Sequence, residues 1–247
     1  PTDKTDETSC QAIVRAVEMG CNVLDTAINY RCQRSERTIA KALKILLQEK
    51  GYSREEIVVA TKGGFIPFDG EICIDQAEFI KKNYVDTGIV NEEEIVGGSH
   101  VLSVKYLEDQ LARSLKNLGL ETIDVYYLHN PEYQLETLDR KAFLEKMGQA
   151  FEFLENKVKE GKIRFYGTAT WSGYRLPSDH PQHLSLEELV ILARQIGGVN
   201  HHFRAVQLPF NLAMTEALTI ENQRVGAGWS TLFHAGKRYE MTVMTSA

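Results

Sequence analysis

The sequence predicts an α/β fold, a (β/α)8 barrel of the TIM type, on three observations. Short β-rich runs alternate with amphipathic helical patterns along the chain. That repeat implies right-handed crossovers and a parallel sheet. No G-x-G-x-x-G loop follows a strand, which argues against an open dinucleotide-binding sheet and for the barrel. Six strands are countable where a barrel needs eight. The text starts at a helix and stops inside a strand. The expectation is therefore that the first and last strands lie before Pro1 and after Ala247, and that residues 1–247 are a single barrel domain incomplete at both ends. A length of 247 residues exceeds the roughly 150 of an average domain, but barrels of this size fold as one unit.

The first helix is expected from about Asp6 to Met19, with Ala12, Ile13, Ala16 and Val17 as its apolar stripe and Gly20 as its stop. A strand follows at Asn22–Thr26. The next helix, about Ser35 to Glu49, turns Ile39, Leu43, Leu46 and Leu47 to one side and ends at Gly51. Ile57–Lys62 is a strand. The stretch from Gly63 to about Ser99 carries Gly63, Gly64, Pro67, Gly97 and Gly98 and reads as a long functional excursion with some helix in its middle. Leu107, Leu111, Leu115 and Leu118 mark a helix closed by Gly119, followed by a strand at Asp124–His129. Phe143, Met147, Phe151, Leu154 and Val158 mark another helix, closed by Gly161 before the strand Ile163–Thr168. Ser185 and Glu188 read as a capping box ahead of Leu189, Val190, Ala193 and Ile196. Ala205–Leu208 is a strand stopping at Pro209. A helical patch near Leu232 precedes the last strand, Met241–Thr245.

Composition narrows the function. Lys and Arg number 28 against 34 Asp and Glu, a net charge of −6 that argues against nucleic acid as the main partner. With 43% hydrophobic and 25% charged residues the chain reads as a soluble globular domain, and it has no apolar run long enough to span a membrane. The polar start Pro1–Glu7 does not read as a signal peptide. Cys10, Cys21, Cys32 and Cys73 contain no C-x-x-C pair, and the seven His show no ligand spacing, so no metal site is expected. Few cysteines and no secretory segment fit a reducing cytoplasm.

The informative residues are polar ones at the ends of apolar strands. A barrel keeps its reactive groups on the C-terminal face. The first strand ends at Asp25, with Tyr30 just beyond; the second ends at Lys62, the third at His129, and the fifth carries Gln207. A lone charge there would be costly to bury, so pairing of Asp25 with Lys62 is expected, with Tyr30 and His129 at the same mouth. A nearby ammonium is expected to lower the Tyr30 pKa and make the phenol a proton donor to a carbonyl oxygen, with His129 orienting that oxygen. No serine or cysteine nucleophile with an adjacent base is visible, so a hydride from a cofactor is the natural partner reagent.

These residues resemble the aldo-keto reductase family. Asn22–Tyr30 is similar to its D-T-A-x-x-Y motif, followed by Ser35-Glu36; Ala60-Thr61-Lys62 resembles its lysine strand and Tyr127-Leu128-His129 its histidine strand. The resemblance runs from about residue 11 to 247. It implies an NADPH-dependent oxidoreductase, with NADH as the less common choice, that reduces aldehydes or ketones to alcohols on a (β/α)8 barrel. It also implies catalytic roles for Tyr30, Lys62, Asp25 and His129, with Tyr30 as general acid, and cofactor contacts from Asp25, Thr170 and Gln207. Gln207 matches the residue that bonds the nicotinamide carboxamide. Thr170 stands in Thr168-Ala169-Thr170-Trp171, where the family often has Ser-Asn. Arg31 replaces the usual Gly after the tyrosine, and Trp171–His183 is a longer loop expected to line or cover the substrate mouth. The resemblance places the pyrophosphate loop and the 2′-phosphate site beyond Ala247. A second reading is a slow or non-catalytic nicotinamide-binding regulatory subunit or scaffold of the same fold. The carbonyl substrate and the oligomeric state are not readable from the sequence.

Overall fold

A computed structural model describes residues 2–246. In chain order the elements are α1 (Asp3–Glu18), β1 (Val23–Asp25), α2 (Arg34–Gln48), β2 (Val58–Gly63), α3 (Gln76–Ile80), α4 (Val104–Leu118), β3 (Ile123–His129), α5 (Arg140–Lys159), β4 (Ile163–Ala169), α6 (Leu186–Gly197), β5 (Phe203–Pro209), α7 (Glu216–Thr219), β6 (Gln223–Val225), β7 (Gly228–Ser230), α8 (Leu232–Arg238) and β8 (Thr242–Ser246). Six strands form one sheet in the order β1-β2-β3-β4-β5-β8, every pair parallel. This is the sequential order of a (β/α) barrel. Among the described residues β1 and β8 do not pair with each other. The antiparallel hairpin β6-β7 lies within the crossover from β5 to β8 and has no counterpart in the sequence reading.

The two faces of the sheet are packed differently. The helix-covered face carries the large core, where Leu24, Val59, Tyr126, Leu128, Tyr166, Val206 and Leu208 meet Leu43, Leu107, Phe151 and Val190 of the helices. The opposite face has a much smaller cluster, Ala60, Tyr127, Ala169 and Ala205 with Val125 beside them. Three of these are alanines, which leaves room for the Tyr127 ring and for the polar groups above it. Alternation along each strand then fixes what else points that way: Asp25, Lys62, His129 and Gln207 share parity with the inner cluster. Register lines them up, with Lys62 beside Tyr127, and His129 beside Ala169, which in turn lies beside Gln207.

Two local expectations change. Ser185 caps α6 by accepting from the Glu188 amide at 3.3 Å, but the Glu188 carboxylate does not return the bond; it pairs with Arg140 instead. The stretch after β2 is more organised than expected. It holds α3, a π turn at Lys81–Val85, and its own apolar cluster of Ile66, Ile80, Tyr84, Val90, Val101 and Tyr106.

The turn after Tyr30 is strained. Arg31, Cys32 and Gln33 have φ of 52°, 56° and 68°, three successive non-glycine residues in the left-handed region. Each costs on the order of 1 kcal/mol or more. An ion-pair cluster opposes the strain. Buried Asp6 on α1 accepts from Arg31 at 2.5 Å and from Arg34 Nε at 2.7 Å, which keeps its carboxyl below the usual carboxylate range despite burial. We predict that Asp6→Ala lowers unfolding free energy by about 2–3 kcal/mol, because two partly buried guanidinium groups lose a buried acceptor and Arg34 keeps only the exposed Asp3 carboxylate. Urea denaturation checks this, and a change within 0.5 kcal/mol, roughly that of a surface substitution, would show that the turn holds without Asp6.

Candidate active site

The centre of the site is a buried ammonium. Lys62 is only 1% exposed. Its Nζ donates to Asp25 Oδ2 at 2.7 Å and to the Thr26 carbonyl at 2.8 Å. Tyr30 lies across it, with the Lys62 Nζ 5.1 Å from the ring centroid. The His129 ring stands edge-on to Tyr30, with centroids 5.8 Å apart. Four groups from three strand ends and one turn therefore gather at the C-terminal end of the sheet, as the sequence reading expects. Tyr30 remains 39% exposed, so this phenol is open to a ligand from the solvent side.

The electrostatics differ from expectation in one respect. Tyr30 has a raised pKa, not a lowered one; burial is the main cause and the Asp25 charge adds to it. The Lys62 ammonium lies over the ring, 5.1 Å from its centroid, and does not offset these two effects. Burial lowers the Lys62 pKa, and the pairing with Asp25 works against that fall. His129 is pushed down to about 3, by burial first and then by the positive charge of Lys62. At neutral pH the site thus presents a protonated phenol and a neutral imidazole.

His129 is held by residues the sequence reading did not single out. Its carbonyl oxygen accepts from His100 Nε2 at 2.8 Å, so the His100 proton sits on Nε2 and its Nδ1 accepts from Gln134 at 2.9 Å. Gly64 lets these segments meet: φ is +153° there, and an added Cβ would lie 2.7 Å from the His129 oxygen. Phe65 packs edge-on to His129 at 5.1 Å, to His100 at 4.9 Å and to Tyr133 at 5.5 Å, forming an aromatic wall. Nothing in the local pattern around His100 or Phe65 signals this, because their partners are about 30 or more residues away in the chain.

Thr170 and Gln207 lie together at the ends of β4 and β5, where the Thr170 amide donates to the Gln207 carbonyl at 2.8 Å. Both side chains are buried and poorly satisfied. Among the described residues Thr170 Oγ1 has no partner, and Gln207 Nε2 reaches only the Met244 thioether at 3.2 Å. The loop from Trp171 to His183 is pinned rather than free. Arg175 pairs with Glu216 at 2.8 Å, Asn222 donates to the carbonyls of Tyr174 and Leu176, and the Tyr174 hydroxyl meets Thr168 Oγ1 at 2.6 Å. Among the described residues no group of three or more His, Cys, Asp and Glu stands close enough to hold a metal, and no helix is long and apolar enough to cross a membrane.

The buried His100 is likewise pushed down, to about 4, by burial. With its folded pKa below the unfolded value of about 6.5, the unfolded chain binds more protons below that pH, so this group withdraws stability as pH falls from about 6.5 toward 4. We predict that His100→Gln loses less stability than the parent between pH 7.5 and pH 5.5, the difference being about 1 kcal/mol. Urea denaturation at the two pH values measures it; equal losses would mean that His100 carries a proton in the folded chain.

Comparison with known proteins places this geometry. The family model described as "Aldo/keto reductase family" matches residues 2–177. A candidate voltage-gated potassium channel subunit beta of Schizosaccharomyces pombe is 29% identical over 171 residues, covering 69% of this chain and 38% of that protein. An NADH-specific methylglyoxal reductase of Escherichia coli is 27% identical over 181 residues, covering 73% of this chain and 45% of that protein. The chain spans less than half the length of these two curated relatives. Among solved structures, the aldo-keto reductase AKR11C1 from Bacillus halodurans superposes with a TM-score of 0.52 at 21% identity, covering 83% of this chain and 49% of that one, which supports the same fold. Asp25, Tyr30, Lys62, His129 and Thr170 all fall inside the matched segment and Gln207 outside it; the chain belongs to the aldo/keto reductase family.

Proposed function

We propose that this chain carries the reacting end of a nicotinamide-dependent reductase that converts an aldehyde or ketone to an alcohol, with Tyr30 as the proton donor. The observation that carries this reading is the buried Lys62–Asp25 pair lying under the open Tyr30 ring beside a neutral His129. A general acid must hold its proton before the reaction, as a phenol does at neutral pH, and burial raises the Tyr30 pKa further. As the carbonyl carbon becomes tetrahedral, negative charge develops on its oxygen, and the Tyr30 proton moves to it. The phenolate left behind is carried by the ring that lies 5.1 Å from the Lys62 ammonium, which Asp25 and Thr26 hold in place. His129, uncharged, offers a hydrogen bond to the same oxygen without competing as an acid. Tyr30 regains its proton through its exposed side.

The residues fit a nicotinamide cofactor on the cofactor side. Thr170 Oγ1 is a buried hydroxyl without a partner, and Gln207 offers a carboxamide satisfied only by a thioether. Both match the donors and acceptors of a planar amide. A bound NADPH or NADH supplies the hydride to the carbonyl carbon. Thr170, Gln207 and Asp25 are the residues assigned to hold it. NADPH follows from the family resemblance; a relative named NADH-specific keeps NADH as the second arm of the test. On this reading residues 1–247 are part of one barrel domain. Four free cysteines support a reducing, cytoplasmic setting.

A second reading is a nicotinamide-binding regulatory subunit with slow turnover. The relative named as a channel subunit beta favours it, being 29% identical over 171 residues. The two readings differ in rate rather than in binding.

We predict that Tyr30→Phe lowers carbonyl reduction by about 10²-fold or more, while its affinity for NADPH and NADH stays within about threefold. Stopped-flow absorbance at the reduced nicotinamide band, with a panel of aldehydes, measures the first, and fluorescence titration the second. Full activity in the variant would remove Tyr30 as the acid. Binding of either cofactor with negligible turnover of every aldehyde by the parent chain would favour the regulatory reading.

A further inference from the structure

Glu132 is fully buried, yet no part of the proposed chemistry uses it. It lies three residues after His129, in the turn Pro131–Glu136 that leaves β3. One of its carboxylate oxygens, Oε1, accepts from three successive main-chain amides: Trp171 at 3.0 Å, Ser172 at 3.0 Å and Gly173 at 3.2 Å. The other, Oε2, has no partner among the described residues. Burying a carboxylate costs several kcal/mol unless donors compensate it; burial raises the Glu132 pKa, and three amides converging on one oxygen offset part of that cost.

The three amides begin one residue after Thr170. The Thr170 amide is itself bonded to the Gln207 carbonyl at 2.8 Å. Thr170 therefore sits between two peptide planes that are each fixed, one by β5 and one by Glu132. Its free Oγ1 projects from a backbone that cannot swivel. Gly173 allows the close packing this needs, since an added Cβ would lie 2.8 Å from the Leu184 side chain. The segment that carries His129 thus also fixes the turn that carries Thr170.

We propose that Glu132 is a positioning residue for the cofactor side of the site: through the amides of Trp171, Ser172 and Gly173 it holds the Thr170 hydroxyl ready for the carboxamide of a bound nicotinamide. This rests on the function proposed above. Glu132 touches neither the substrate nor the reacting atoms on this reading. Its loss acts on cofactor affinity more than on the proton-transfer step.

The test uses the chain with Trp229→Phe, leaving Trp171 as the reporter, since the chain has two tryptophans. Titration with NADPH, read as Trp171 quenching, is expected to show binding weakened at least about tenfold in Glu132→Ala and within about threefold of the parent in Glu132→Gln, which retains one accepting oxygen. Thr170→Val is expected to weaken NADPH binding in the parent and to add little in Glu132→Ala, because the two residues act through one contact. Unchanged NADPH affinity in Glu132→Ala, additive losses in the double variant, or an equal rise in KM for NADPH and for 4-nitrobenzaldehyde would each overturn the proposal. If Glu132→Ala does not fold, Glu132→Asp replaces it, with a loss of at least about fivefold expected and an unchanged affinity decisive against. If the parent binds neither NADPH nor NADH, the functional reading fails, and Glu132 is judged alone by amide exchange. Residues 171–173 exchanging about tenfold faster in the variant would support its hold on the turn, and unchanged exchange would refute it.

Discussion

The site depends on the burial of one ammonium. Lys62 lies one residue before the end of β2, and it is shielded from water almost completely. A charge in that position is tolerable only if acceptors surround it. Asp25 and the Thr26 carbonyl meet that demand, and both come from the end of β1. The pairing of β1 with β2 therefore does more than extend the sheet. It decides that the chain leaving β1 must pass over Lys62, and the Tyr30 ring lies on that path. The same charge depresses the basicity of His129. One buried cation thus fixes the path of the chain that carries the phenol and adds to the burial that keeps the imidazole neutral.

Around that centre, the turns are held by long-range polar contacts rather than by their own propensities. Residues 31–33 adopt left-handed backbone without a glycine among them, which local preference opposes. Asp6, on a helix some 25 residues earlier, supplies the opposing ion pairs. The turn after β4 follows the same pattern, with Glu132 as its acceptor and Arg175 pinned to Glu216. A loop fixed at several points holds its side chains more narrowly than a free flap does, which suits a site that must orient a small molecule.

This contrast explains what could be read from the sequence. Asp25, Lys62, His129 and Gln207 are legible because a polar residue ending an apolar strand breaks the pattern expected of a core. The alternation of strand and helix is legible for the same reason, as periodicity is a local property. Glu132, His100 and Asp6 are not legible. Each looks like an ordinary residue of a turn, loop or surface helix, and only the fold brings its partners within reach. The sign of the Tyr30 shift was hidden for a related cause. The sequence names the ammonium, but the balance between Asp25, burial and Lys62 is a matter of distance. At α6 the Ser185 cap was readable and the return bond from Glu188 was not, since Arg140 competes for that carboxylate from another helix.

The two halves of the site also differ in how well their polar groups are satisfied. On the Lys62 side the ammonium is answered by carboxylate and carbonyl and the His129 carbonyl by His100, while the His129 ring Nδ1 has no partner among the described residues. On the Thr170 side a buried hydroxyl is unpaired among the described residues and a carboxamide rests on sulfur. Leaving a buried polar group unsatisfied costs about 1–3 kcal/mol. Such a cost is hard to justify as architecture, because a valine at position 170 would fill the same space without it. It is readily understood if the missing partners belong to a ligand, since binding then returns what the unliganded fold gives up. By the same linkage, a ligand that satisfies both groups stabilises the fold that holds them. On the proposed function, the Thr170 side is where ligand affinity is stored, and the Lys62 side is where the reacting groups are kept in place.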